Sequence, residues 1–463
     1  MLQVQQAELW LSDSTTDKFQ AQSTILELIQ TCAKRKDLSR ARKIHADLIQ
    51  TEILPHDILL CNALLGLYVK CGDIDEIEVF FSKTPLRNIV SWNSLIGGYA
   101  RNGHYKKSSQ CLKQMQDEGF SPNVVTFICA LKACDSTQRV EEIHVEVSKR
   151  GLLEKSIPLG NALIDSYAKC GVIGKAKKVF DELLIRDVVT WNTLITGYAQ
   201  HGHAHEALDG FVQMRDEGFS PDAVTFVCAL KACGKIGCLE MGKEIHAMIN
   251  KSEGLLEQNV ILANALVDMY AKCNMLEKAQ EVLNELPNGN VVTWSSLIAG
   301  YAQQGQGKEA LDCFKEMQSK NMLCPNSVTF LSILHACSHA GLVEEGLMYF
   351  EDMSKTYNIT PNFEHYTCIV DLLGRAGHID RAFAVIKKMP CSDYGPLWGT
   401  FLGSCRKWGN IKLAELAFEY AIQLDNSNDA AYVSMMNIYA AASMQKHVEN
   451  VKAMRMKNTC NNK

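Results

Sequence analysis

Between residues 188 and 222 the apolar side chains Trp191, Leu194, Ile195 and Tyr198 fall at i, i+3, i+4 and i+7, the spacing of one buried helical face. Gly202 interrupts the pattern. A second apolar stripe follows at Ala207, Phe211 and Met214, before Gly218 and Pro221 turn the chain. The segment therefore predicts two helices joined by a turn. The same wording returns along the chain: IVSWNSLIGGYARNG begins at Ile89 and VVTWSSLIAGYAQQG at Val291. A second series, CNALLGLYVKCG, GNALIDSYAKCG and ANALVDMYAKCN, begins at Cys61, Gly160 and Ala263. The super-period is about 100 residues, divided into three segments of roughly 31 to 36 residues, the length of a helical-hairpin repeat. No strand-type alternation is sustained. A hairpin this small cannot bury its own apolar face, so neighbours are expected to stack into one elongated array rather than several domains.

Composition changes the functional picture more than the fold. A formal net charge of −5 argues against a protein that coats nucleic acid by charge alone, although it leaves room for a basic groove. Of the 18 cysteines, Cys129, Cys134, Cys170, Cys228, Cys233 and Cys273 lie inside apolar helical patterns. There they act as small hydrophobes, which with no secretory signal fits a reducing compartment and not a disulfide framework. No apolar run approaches the ~18 residues of a membrane span. Met1 to Lys18 holds Glu8, Asp13 and Asp17 and no Arg, a poor match to an Arg-rich organellar transit peptide. The expectation is that the protein is not imported or begins further upstream.

These repeats resemble the pentatricopeptide repeat family, and specifically its PLS class, in which P repeats alternate with longer L and shorter S repeats. The resemblance runs from about residue 22. L repeats align at 22–57, 124–156, 223–259 and 327–362, S repeats at 58–88, 157–187, 260–290 and 363–394, and P repeats at 89–123, 188–222 and 291–326. Residues 1–21 carry no repeat and are expected to be disordered. Residues 395–463, with GPLWGTFLGSCRKWGNIKLAELAFEYAIQLDNSN and DAAYVSMMNIYAAA, resemble the two E motifs that follow the repeats in this class, with a last stretch, RMKNTCNNK, that departs from the pattern. The resemblance implies an all-α fold, a right-handed superhelical solenoid of helix-turn-helix repeats, located in a mitochondrion or plastid.

It also implies a function. Repeat proteins of this type read about one base of single-stranded RNA per repeat with two or three side chains. The family's reading positions are the fifth and last residues of each P or S repeat. Here they pair Asn62 with Asn88, Asn93 with Asn123, Asn161 with Asp187, Asn192 with Asp222, Asn264 with Asn290, and Ser295 with Asn326. By resemblance, Asn with Asn favours C, Asn with Asp favours U, and Ser with Asn favours A. The second position, which sandwiches bases in the family, holds Leu59, Val90, Pro158, Val189, Ile261 and Val292. L repeats carry Leu26, Ile128, Val227 and Leu331 at the fifth position, which cannot hydrogen-bond a base. The last S repeat has Thr367 but ends in Tyr394, a pair with no assigned base. The implied target is C-C-n-U-U-n-C-A-n-n. E motifs accompany cytidine-to-uridine editing factors, some of which continue into a zinc deaminase ending in Asp-Tyr-Trp, whose signature is missing here. The expectation is thus a non-enzymatic recognition factor working with a separate deaminase. Two alternatives are an RNA factor in splicing, stability or translation, and a protein–protein scaffold.

Other motifs invite chemistry and have plainer readings. Trp92, Trp191 and Trp294, with Tyr99, Tyr198 and Tyr301, could stack on bases but sit on the packing stripe, so core is expected. His45, His144 and His246 lie about 100 residues apart in separate repeats and cannot share one metal ion. His144-Val145-Glu146 and His447-Val448-Glu449 mimic half of the deaminase signature, yet no Cys-x-x-Cys completes it. Gly305-Gln306-Gly307-Lys308 lacks the glycine spacing and preceding strand of a phosphate loop and reads as an inter-helix turn. No metal or cofactor is expected.

Overall fold

The structure, a computed structural model, describes residues 15–50, 54, 57–84, 86–252, 254–286, 289–321, 323–389 and 395–461. Among the described residues there are 27 helices and no strand. They divide into two compact bodies, Met1–Thr225 and Phe226–Lys463.

In the first body the hairpins begin with Thr15–Arg35 and Leu38–Gln50 and end with Val188–Gln200 and Ala204–Asp216. Residues 15–21, expected to be disordered, instead form the opening turns of the first helix. No Gly or Pro falls between Thr15 and Arg35 to stop it, and Gln22 on the next turn donates to the Asp57 carboxylate at 2.6 Å. Residues 1–14 lie outside the described residues. The first helix of each P repeat lies against the first helix of the preceding S repeat, close enough that only glycine fits. A Cβ on Gly98 would come within 2.6 Å of Val69, and one on Gly197 within 2.9 Å of Ala168. The L repeat at 124–156 is a shortened copy. Its first helix, Val124–Leu131, has 8 residues where Ala223–Ile236 and Ser327–Ala340 have 14.

The second body repeats the plan. A Cβ on Gly300 would come within 2.9 Å of Ala271, as one on Gly197 would of Ala168. Asn274 takes the left-handed conformation (φ 61°) at the turn where Gly72 and Gly171 serve in the earlier S repeats, since Asn tolerates that region best after Gly. Beyond the repeats come two further hairpins, Gly395–Trp408 with Ile411–Leu424 and Asp429–Ala441 with Gln445–Asn461. Trp398 stacks on Tyr420 with ring centroids 4.7 Å apart, and the Arg455 guanidinium grips the Asp429 carboxylate across the last hairpin.

The packing stripe behaves as its period requires. Trp92, Trp191 and Trp294 are 0%, 0% and 3% exposed. Trp92 and Trp191 meet Phe81 and Phe180 edge to face at 4.7 and 4.6 Å, a favoured quadrupole geometry. Tyr99 and Tyr198 are buried and Tyr301 half-buried. His45, His144 and His246 each hydrogen-bond a tyrosine hydroxyl of the next repeat, Tyr68, Tyr167 and Tyr270, at 2.8, 3.0 and 2.8 Å. The cysteines whose side chains are described are all free. No group of three or more His, Cys, Asp or Glu among them could hold a metal ion, and no described helix is long and apolar enough to cross a membrane.

Candidate nucleic-acid interface

Each repeat ends where the next repeat's first helix begins, so its last residue is that helix's N-cap. Asn88, Asn123, Asp187, Asn290 and Asn326 each accept the N3 backbone N–H through the side chain in a capping box, and Asp222 does the same with Thr225. L repeats obey the rule too: Asp57, Ser156, Asn259 and Asn362 cap the helices that follow them. A polar last residue is therefore demanded by helix capping at each of these junctions, whether or not it meets a base.

The fifth residue is held by the same junction. In four P or S repeats the N3 hydroxyl of the following helix donates to the fifth residue's Oδ1: Ser91 to Asn62 at 2.6 Å, Thr126 to Asn93 at 2.6 Å, Thr225 to Asn192 at 2.5 Å, and Thr293 to Asn264 at 2.5 Å. Ser295 meets Thr329 hydroxyl to hydroxyl at 2.8 Å and also donates to the Val291 carbonyl. Fifth and last residues are brought into direct contact in three repeats. Asn62 donates to Asn88 at 3.4 Å, Asn93 to Asn123 at 3.3 Å, and Asn192 to both Asp222 oxygens at 3.0 Å. Asn161 differs. The Thr190 hydroxyl bonds Asp187 at 2.8 Å, as the other N3 hydroxyls bond their caps, but Asn161 Oδ1 is buried without a partner. Tyr394 lies outside the described residues.

The second residues stand out of the core. Leu59, Val90, Val189, Ile261 and Val292 are between 53% and 66% exposed, and Pro158 is exposed in the first turn of its helix. Val125, Val224 and Val328 of the L repeats hold the same position at 52–60% exposure. Sequence reading passed over these three, because a valine in a Val-rich first turn is indistinguishable from core until its exposure is known.

A further set of residues was also missed. Two helical turns beyond the fifth position, and so on the same helix face, sit exposed cations: Lys34, Lys70, Arg101, Lys169, Lys235, Lys272 and Arg375. L repeats add Lys132 and Lys231 one turn earlier. The 4-residue spacing was present in the sequence, but a charge on a solvated helix end is ordinary. In the last L repeat His335 and His339 replace the lysines. They stack 6.3 Å apart, and burial holds the His335 imidazole below its usual range. Such a face offers hydrogen-bonding pairs, an apolar projection beside each and cations along one edge.

Comparison with known proteins matches the chain to three family models. One for the PPR repeat family covers residues 87–135, 186–235 and 289–339, and one for the PPR repeat covers 60–89, 161–188, 261–291, 328–355 and 364–394. One for the E motif covers 408–463, including the stretch from Arg455. A mitochondrial pentatricopeptide repeat-containing protein of Arabidopsis thaliana is 37% identical over 93% of this chain and 67% of its own length. Another mitochondrial member is 42% identical over 89% of this chain and 65% of its own, and the chloroplastic protein CRR2 is 37% identical over 94% and 67%. The chain spans about half to two thirds of the length of the curated relatives it matches. Among solved structures, the pentatricopeptide repeat protein PPR10 from maize superposes with a TM-score of 0.68 at 20% identity, covering 94% of this chain and 64% of that one. PPR10 in complex with an 18-nt psaJ RNA element gives the same TM-score at 19% identity, over 90% of this chain and 65% of that one. The fold is thus the all-α helical-repeat solenoid that the sequence led one to expect. The chain belongs to the pentatricopeptide repeat family and carries, after its repeats, that family's E motif.

Proposed function

We propose that this chain binds single-stranded RNA sequence-specifically in a mitochondrion or plastid, as the recognition factor for a cytidine-to-uridine editing site served by a separate deaminase. The observation that carries the RNA reading is the exposed apolar second residue, repeated from Leu59 to Val328. Capping explains the polar last residues and the N3 hydroxyls explain the polar fifth residues. Neither explains a large aliphatic side chain kept in water beside each such pair, whereas a wedge between unstacked bases does.

The pairs have the chemistry to discriminate. Capping uses one side-chain oxygen of the last residue. Asn then has its amide N–H groups to offer, and Asp only a second acceptor oxygen. Cytosine presents an acceptor at N3 and uracil an N–H donor, so Asn suits C and Asp suits U. This agrees with the target C-C-n-U-U-n-C-A-n-n. The exposed lysines and arginines supply the phosphate contacts that a net charge of −5 would otherwise seem to deny. Editing, as against splicing, stability or translation, is favoured by the E motif.

The test is fluorescence anisotropy at fixed salt, with one oligonucleotide carrying C-C-n-U-U-n-C-A and one of the same composition in scrambled order. The proposal expects at least about tenfold preference for the ordered sequence, a margin that a single mismatched pair at roughly 1–3 kcal/mol would by itself approach or exceed. Equal affinities would contradict base reading, and no binding to either would return the scaffold reading to first place.

A further inference from the structure

In the S repeats the cation two turns beyond the fifth residue is not free. Lys169 is bonded to Asp165 at 2.6 Å, Lys272 to Asp268 at 2.7 Å, and Arg375 to Asp371 at 2.8 Å. The aspartate stands one turn beyond the fifth residue in each case, between it and the cation. The first S repeat, at 58–88, has Gly66 at this position, so Lys70 has no carboxylate one turn back. The L repeat at 223–259 has the opposite arrangement: Lys231 and Lys235 place two cations on the same stretch of helix. P repeats carry no acid there, with Gly97, Thr196 and Ala299. In each pair the cation is exposed and the aspartate half-buried, and helix ion pairs at this spacing contribute little, so stability is a weak reason for the recurrence.

We infer that Asp165, Asp268 and Asp371 neutralise the phosphate-facing cation of the S repeats and so attenuate the chain's sequence-independent hold on RNA. The inference rests on the RNA reading proposed above. Phosphate attraction acts on every sequence alike, and base-edge contacts supply discrimination. Three of the four S repeats, whose fifth residues can hydrogen-bond a base, have their phosphate contact cancelled. The L repeats at 124–156 and 223–259, whose Ile128 and Val227 cannot, keep theirs in Lys132, Lys231 and Lys235, whereas the last L repeat has His335 and His339 there. Between the neighbouring repeats 124–156 and 157–187, and again between 223–259 and 260–290, grip and reading thus fall to different repeats. Asp371 also accepts from the Ser338 hydroxyl at 2.6 Å, a bond that an amide oxygen preserves.

The experiment compares the full chain with its Asp165→Asn/Asp268→Asn/Asp371→Asn variant, by anisotropy across a salt series, on ordered and scrambled oligonucleotides. Each cation restored to phosphate adds roughly 0.7 to the slope of log K against log salt for a single strand. The triple variant is expected to steepen the slope by up to about 2 and to bind more than about tenfold tighter at low salt, by the same factor on both oligonucleotides. An unchanged slope overturns the inference. So does a loss of affinity, which would make the aspartates positioning residues. As a second arm, Lys70→Gln should flatten the wild-type slope by about 0.7 and Lys169→Gln by clearly less; equal losses overturn it as well. Failure of the wild type to bind either oligonucleotide would instead defeat the RNA reading itself.

Discussion

Asn and Asp cap a helix about equally well, so the last residue of a repeat can change between them without disturbing the junction it closes. The fifth residue is less free, because its oxygen takes the N3 hydroxyl of the next helix. In Thr225→Val that hydroxyl is lost both to Asn192 and to the Asp222 backbone N–H. A buried amide oxygen is then left unpaired, and chemical denaturation should report a loss of about 1–3 kcal/mol. The second residue is the reverse case. Val90, Val189 and Val292 are more than half exposed, so replacing all three by Ser should leave the melting temperature within about 2 °C of wild type. RNA affinity should meanwhile fall by at least about tenfold on any sequence, since an apolar wedge is indifferent to base identity. A large drop in melting temperature would show these valines to be core.

At the scale of the helices, two features set how closely repeats can stack. Glycine at 98, 197 and 300 lets the first helices of P repeats sit against their S neighbours, and at Gly98 an added Cβ would press to 2.6 Å from Val69. Gly98→Ala is expected to cost about 1–3 kcal/mol of stability through overpacking, despite the better helix propensity of Ala. The histidine–tyrosine bonds between second and first helices add a pH dependence. Burial holds His45, His144 and His246 below the usual imidazole value of about 6.5. In the unfolded chain they take up protons at their usual value, so stability should be constant above about pH 7 and fall as pH drops through about 6.5. Urea denaturation at pH 7.5 and 5.5 would show this, and His246→Gln should reduce the difference.

At the scale of the molecule, repetition made the fold legible: the apolar period, the glycine breaks and the hundred-residue recurrence locate almost every hairpin. The fifth and last residues were singled out by family resemblance, and the structure joins them side chain to side chain in three repeats. What could not be read was anything requiring contact between repeats. The match between an Asn at the fifth position and a hydroxyl about 30 residues later, as between Asn93 and Thr126, appears only when the helices are side by side. It gives those asparagines a structural duty that their spacing alone does not reveal. The start of the first helix was missed because Thr15–Ala21 lacks the repeat wording, although it also lacks any residue that would stop a helix. The cation row was overlooked because net charge averages over faces.

The central claim is that the identity of a capping residue, which the fold treats as neutral, selects the base. Selection from a random single-stranded RNA pool, run in parallel on the wild type and Asp222→Asn at one near-physiological salt concentration, tests it directly. The wild type is expected to select C-C-n-U-U-n-C-A and the variant C-C-n-U-C-n-C-A, with equal thermal stability. The same motif from both proteins, or no motif from a folded wild type, would contradict it.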